Sequence, residues 1–142
     1  MSYQAFNARA DEYDAWYDNE PGKTIFATEV DCLKPLLQRY SRPYLEVGAG
    51  SGRFAQALEI EYGVEPAPSL AQIAKTRGIK IYEVTAEKLP FSDKMFGGIL
   101  MAVTLCFLDN PRKALEEAWR VLQPGGGLVL GLIFHDIVHH RV

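Results

Sequence analysis

Cysteine is nearly absent: Cys32 and Cys106 are the only two in 142 residues, too few and too far apart for a disulfide framework or a metal knuckle. Both lie among apolar neighbours and read as reduced thiols, Cys106 as a packed one. No basic run exceeds a residue or two, and 15 Lys and Arg against 18 Asp and Glu leave a formal charge of -3. That removes the electrostatic footprint of a nucleic-acid binder. The longest apolar stretches, Gly97 to Leu108 and Gly125 to Phe134, fall short of the roughly 18 residues that a membrane span needs. Met1 to Asp14 carries Arg9, Asp11, Glu12 and Asp14 and lacks the apolar core of a signal peptide, so a cytoplasmic protein is expected. Internal repeats and low-complexity segments are missing too.

What is present is material for one core, since 48% of the residues are apolar. Pro and Gly are scattered as punctuation, so no domain boundary is expected. The reading is a single domain over 1–142, with a helical cap over 1–40, a core over 41–134 and a tail over 135–142. Phe6, Ala10, Tyr13 and Tyr17 recur at helical spacing until Pro21-Gly22 breaks the run, and Phe26, Val30, Leu33 and Leu37 mark a second helix. From Pro43 onward short apolar runs alternate with helical segments, the texture of a parallel sheet with crossovers. Strands are expected at Tyr44 to Val47, Tyr62 to Val64, Ile79 to Val84, Gly98 to Met101 and Gly127 to Ile133. Helices are expected near Arg53 to Leu58, Ser69 to Arg77 and Pro111 to Leu122. The Ser69 hydroxyl is expected to cap the second of these, and Asn110 before Pro111 the third. Pro124 to Gly127 reads as the turn into the last strand.

The strongest local signal is Glu46-Val47-Gly48-Ala49-Gly50-Ser51-Gly52-Arg53-Phe54, a glycine-rich turn between an apolar strand and a short helix. Glycines there remove Cβ atoms, so a ligand can lie against bare backbone. Loops at the carboxyl ends of parallel strands are where such folds bind ligands. Dinucleotide sites use a similar turn, but with a third glycine where this chain has Arg53, a bulky cation. Nineteen positions after Glu46 comes Glu65, ending the strand Tyr62-Gly63-Val64; its carboxylate is suited to accept both hydroxyls of a ribose.

Over Tyr44 to Ile133 the chain resembles the class I S-adenosylmethionine-dependent methyltransferases, in particular the small-molecule branch called type 11. The resemblance rests on four segments in order: Leu45 to Gly52, Gly63-Val64-Glu65-Pro66, Val84 to Phe91, and Ala114 to Gly126. It implies a Rossmann-like, doubly wound, mostly parallel five-stranded α/β sheet with N-terminal helices. It implies S-adenosylmethionine as cofactor, with S-adenosylhomocysteine as product, and in-line methyl transfer to a small-molecule acceptor. The implied cofactor residues are Glu46, Gly48, Ala49 and Gly50 at the loop, Glu65 and Pro66 at the ribose and adenine, Thr85, Ala86 and Glu87 at the adenine edge, and Met101 to Thr104 at the methionine. Two positions depart from the family's pattern: Thr85 and Gly97 stand where it often has Asp, and Gly97 is expected to affect strand entry rather than chemistry.

The family's sheet usually continues past the fifth strand, whereas this sequence stops nine residues after Ile133. Leu128 to Phe134 is therefore expected to expose an edge that pairs with a second copy, giving a homodimer, or with the tail Ile137 to Val142. The same feature supports an alternative, a protein that binds the cofactor with little or no turnover. A nicotinamide oxidoreductase is the weaker third reading. Among the N-terminal aromatics, Phe6 and Trp16 read as core packing and Tyr13 and Tyr17 as a lid over the acceptor. His135, Asp136, His139 and His140 are read as a polar terminus and no metal is expected. No residue has a motif behind it as catalytic acid or base, and S-adenosylmethionine chemistry does not require one for nitrogen, sulfur or acidified carbon acceptors.

Overall fold

The computed structural model describes residues 4–132. The tail with its histidines, the residues at 133 and 134, Tyr3 and the Phe6 side chain lie outside what is described. The N-terminal run is divided at Arg9 into α1 (Gln4–Ala8) and α2 (Ala10–Ala15), followed by a 3-10 turn over Trp16–Asp18. The long helix α3 (Gly22–Leu37) comes next. Five strands follow, β1 (Tyr44–Val47), β2 (Tyr62–Val64), β3 (Lys80–Tyr82), β4 (Phe96–Ala102) and β5 (Leu122–Gly131), with α4 (Arg53–Ala57), α5 (Pro68–Thr76) and α6 (Pro111–Val121) between them.

All four strand pairings are parallel, in the order β3-β2-β1-β4-β5. Chain direction across the sheet reverses at β1, which pairs with β2 on one side and β4 on the other. A crevice therefore opens beyond the carboxyl ends of β1 and β4, the place where open α/β sheets hold ligands. Alternation along β1 sends Leu45 and Val47 to one face, against Ala114, Ala118 and Val121 of α6, and Tyr44 to the other, with Leu33 and Leu37 of α3. Both layers are built from residues with little or no exposed surface. Leu45, Val47, Val64, Ile99 and Leu100 carry 0% each.

Several expectations need correction. β5 begins at Leu122, so Pro124 to Gly127 lie inside a strand rather than a turn; Gly125, at φ 79°, absorbs a register irregularity between the Phe96 and Gly98 pairings. β3 is shorter than expected and β4 longer. Ser69 does not cap α5: the N-cap position is Ala67, without a side-chain cap, and the Ser69 amide donates instead to Asn7 Oδ1 at 2.8 Å. Asn110 does cap α6, accepting from the Lys113 amide at 3.1 Å. Cys106 is exposed rather than packed, Cys32 is exposed too, and both are free.

Gly97 has a steric reason. A Cβ there would overlap the Ser41 carbonyl, while its own N–H donates to the Pro43 carbonyl at 3.1 Å. Strand entry here requires two backbones to touch, which a side chain at this position would prevent.

Candidate functional site

β1 delivers the chain into the glycine loop with a close backbone fit. Gly48 and Ala49 donate their amides to the Val64 carbonyl at 2.8 and 2.9 Å, joining the loop to the end of β2. Gly48 sits at φ 76°, and a Cβ there would collide with the Thr104 side chain. The Thr104 hydroxyl lies 3.1 Å from the Val47 carbonyl and 3.2 Å from that of Ala102, so it fastens the tips of β1 and β4 together. The close-packing glycine of the loop is Gly52, whose Cβ would come within 2.9 Å of Ala74 Cβ on α5. Arg53 is free for another role as a result.

That role is an ionic clasp. Arg53 donates to both carboxylate oxygens of Asp14 (2.8 and 3.0 Å) and to Asp18 (2.9 and 3.1 Å). Arg77 reaches the same Asp14 oxygens at 3.0 Å each, and also the Ser51 carbonyl. The helical cap is thus bound to the glycine loop through a network only 16–18% exposed at Asp14, Arg53 and Arg77. Burial alone would raise the Asp14 carboxyl, but hydrogen bonds from Arg53 and Arg77 outweigh it and hold the group well below the usual carboxylate range. Because the folded value is depressed, Asp14 stabilises the fold fully above its unfolded value of about 3.9 and loses that contribution as pH falls toward the folded value. Asp14→Ala is expected to cost roughly 1–3 kcal/mol at pH 7, with the difference from the parent chain shrinking below about pH 4, as read by urea denaturation at both pH values.

Glu65 sits 7% exposed at the end of β2, and each oxygen accepts one backbone amide: Gly50 at 3.0 Å on Oε1 and Ala67 at 2.8 Å on Oε2. Burial pushes its carboxyl up, and the two amides pull against that. Glu46, on the preceding strand, is 1% exposed, and its Oε1 accepts no hydrogen bond. Burial together with the Glu65 charge lifts this carboxyl well above the ordinary value, against a backbone hydrogen bond from Ala55.

These groups border a cavity of about 740 Å³, in the upper part of the range of about 300–1,000 Å³ usual for small-molecule sites. Its wall includes Glu46, Gly48, Ala49, Gly50, Glu65, Pro66, Thr85, Ala86, Glu87 and Thr104, together with Tyr13 and Tyr17 from the cap. Met101 is not in the wall. It is 1% exposed and packed in the core beside α6, and Ala102 and Val103 occupy the wall in its stead. Trp16 is likewise no core residue, since it lines the cavity at 46% exposure. The Tyr13 and Tyr17 hydroxyls lie 3.3 Å apart. Desolvation pushes the Tyr13 hydroxyl strongly up, with Tyr17 and the charges of Glu46 and Glu65 adding to the shift.

Sequence reasoning missed the Asp14–Arg53–Arg77 clasp and the wall residues Ile25, Glu29, Phe54 and Phe107. It also assigned no role to Glu117 and Arg120. Glu117 accepts the Leu89 amide at 2.9 Å, and Arg120 donates to the carbonyls of Leu89 (3.0 Å) and Phe91 (2.8 Å), so α6 staples down the segment that follows Thr85–Glu87. Among the described residues no group of three His, Cys, Asp or Glu is arranged to hold a metal. No described helix is long and apolar enough to cross a membrane.

Residues 45–130, from the start of β1 to the end of β5, match the family model of a methyltransferase domain. The chain belongs to this methyltransferase family. An uncharacterized protein of Mycobacterium tuberculosis is 43% identical over 121 residues, 85% of this chain and 42% of that protein. A demethylmenaquinone methyltransferase of Tropheryma whipplei is 36% identical over 94 residues, 61% of this chain and 39% of its own length. Among solved structures, a Thermotoga maritima S-adenosylmethionine-dependent methyltransferase, with histamine N-methyltransferase as its suggested activity, superposes with a TM-score of 0.85 at 36% identity, covering 95% of this chain and 63% of that one. The chain thus spans about half the length of the proteins it matches.

S-adenosylmethionine is the cofactor of this methyltransferase class, and the cavity fits it on two counts. A ligand carrying an ammonium and a sulfonium suits a wall whose deepest acid has an unsatisfied oxygen. A ribose suits a carboxylate with one acceptor site left on each oxygen.

Proposed function

We propose that the chain binds S-adenosylmethionine in this cavity and directs its methyl group to a small-molecule acceptor by in-line displacement. The observation that carries the reading is Glu65, which crosslinks the glycine loop and the start of α5 through its two oxygens while facing the cavity. In this arrangement the carboxylate is oriented before a ligand arrives, and the sugar hydroxyls meet a fixed acceptor pair. Pro66 and Ala86 offer apolar surface to the adenine, and Thr85 and Glu87 its polar edge. Glu87 Oε1 lies 3.4 Å from the Asn110 amide, which ties that edge to the start of α6. Gly48 to Gly50 and Ala102 to Thr104 cradle the methionine, with Glu46 as the partner for its ammonium.

When bound, S-adenosylmethionine supplies an electrophilic methyl carbon on cationic sulfur. The protein's work is alignment and exclusion of water. Tyr13 packs over Gly50, where a Cβ would lie 3.6 Å from its ring, and so acts with Tyr17 as the lid on the cofactor side. The clasp through Arg53 and Arg77 keeps that lid in place. Acidic walls without a basic residue among those described disfavour a nucleic-acid acceptor and support a small molecule. The free, exposed Cys32 and Cys106 accord with a reducing cytoplasm. Among the described residues β5 is the last strand of the order and carries Leu130 at 40% exposure, which supports pairing of two copies along that edge; a mass measurement giving monomers at micromolar concentration removes the dimer.

Calorimetry tests the reading. Both S-adenosylmethionine and its demethylated product are expected to bind with Kd well below about 1 mM, and NAD to show no comparable affinity. Glu65→Ala is expected to weaken both sulfur compounds by about 1–3 kcal/mol. If neither compound binds the parent chain more tightly than about 1 mM, the reading fails.

A further inference from the structure

The described wall of the cavity holds five acids, Glu29, Glu46, Glu65, Glu87 and Asp109, and no Lys, Arg or His. A one-signed cleft with low-dielectric sides focuses its field on whatever enters, where the same charges on an open surface would be screened. Glu46, with its orphaned Oε1, marks the interior of the cavity. Three of the acids, Glu46, Glu65 and Glu87, already have a use in the cofactor assignment. Glu29 has none.

Glu29 stands on α3 one turn beyond Ile25, which shares the wall with it. It is half-buried and has no hydrogen-bond or ion-pair partner among the described residues. Its charge acts on the Tyr17 hydroxyl. Around it the wall is aromatic: Trp16 meets Tyr17 edge-on with ring centroids 5.1 Å apart, and Phe54 lies in the same wall, joined to Tyr17 through Phe26. Aromatic rings next to a carboxylate are a chemistry that recognises cations, and one side of Tyr17 already carries the Arg53 guanidinium 5.6 Å from its ring centroid. The wall also disfavours carboxylates and phosphates, because no Lys, Arg or His among its described residues is there to pair with them.

Resting on the reading of this cavity as a methyl-transfer site, we propose that its acceptor is an amine which enters as an ammonium ion, paired with Glu29 beside the Tyr17 and Trp16 rings, and that Glu29 sets this preference. The Glu29 carboxylate takes one proton from the ammonium nitrogen. The freed lone pair forms the nitrogen–carbon bond to the methyl group while the carbon–sulfur bond breaks, and that bonding pair stays on sulfur. The products are a methylated ammonium and a neutral thioether, and Glu29 passes its proton to water. Desolvation raises the Glu29 carboxyl, which brings it closer to the amine it deprotonates.

The test is calorimetric titration of the full chain, saturated with S-adenosylhomocysteine, with three compounds of similar shape: 2-phenylethylamine, its neutral N-acetyl derivative, and anionic 3-phenylpropionate. The amine is expected to bind about tenfold or more tightly than the N-acetyl compound, and the anion to bind weakest. Glu29→Gln is expected to remove most of the amine's advantage and Glu29→Asp to retain part of it. A merely structural role for Glu29 would instead change all three affinities together. The proposal is overturned if the neutral or anionic compound binds as tightly as the amine, or if the amine's advantage survives in Glu29→Gln. Should S-adenosylhomocysteine itself not bind, the cofactor reading fails separately, and the same three titrations on the free chain still decide the charge preference.

Discussion

Gly97→Asp is expected to destabilise the chain by about 3 kcal/mol or more, lowering Tm by roughly 10 °C or preventing folding outright. The added Cβ would overlap the Ser41 carbonyl, a backbone atom with no rotamer through which to retreat. Relief requires moving either the turn before β1 or β4 itself. The first is held by the Gly97 N–H donating to the Pro43 carbonyl, and the second by its parallel pairings with β1 and β5. An aspartate also brings a carboxylate into a buried position. Gly97→Ala separates the two costs, because it keeps the overlap and omits the charge. Most of the loss is expected to remain in the alanine variant, measured by thermal or urea denaturation, and an alanine variant as stable as the parent would refute the steric account.

Glu46→Gln is expected to act in opposite directions on stability and on binding. Its carboxyl is fully buried with one unsatisfied oxygen, and its folded value is raised, so its favourable contribution is complete only below the ordinary glutamate value and is lost as pH rises toward the folded one. At neutral pH an isosteric amide escapes that cost, and the free protein is expected to gain about 1–3 kcal/mol in a denaturation experiment. Affinity for S-adenosylmethionine is expected to fall about 100-fold, because the amide cannot pair with an ammonium in a dry site. The parent chain is also expected to release protons on binding, since an ammonium favours the charged form of Glu46. Titrations in buffers of different ionisation enthalpy read that release directly. Equal affinity of the parent and glutamine chains would take Glu46 out of the cofactor site.

Both variants touch places where local sequence rules carry little information. β1 and β2 were legible to the residue, the first because an apolar run ending in glycines has one reading, the second because Glu65-Pro66 stops a short apolar run. The limits of α6 were nearly so, because Asn110 and Pro111 mark its start. The start of β5 was not legible: Pro124-Gly125-Gly126-Gly127 has the composition of a turn, and only pairing with β4 makes it a strand with a bulge. The loop, Glu65 and the Thr85–Glu87 edge could be placed on the cavity in advance because each sits at a strand end, where topology fixes position. The clasp could not. Asp14 lies 39 and 63 residues from its two arginine partners, and nothing local in Ala10–Ala15 separates an acid in an ion pair from one in water. Arg53 drew attention only as a missing glycine, while Gly52, one position earlier, supplies the close packing.

The chain has two tryptophans, and the fold sends them to opposite fates. Trp119 stands 81% exposed on α6, whereas Trp16 looks into the cavity beside Tyr17. Swapping the outer indole for phenylalanine leaves a single indole, at the mouth of the site, so with excitation beyond the tyrosine band the arrival of a guest becomes visible as a change in the colour and brightness of its emission, without any attached dye.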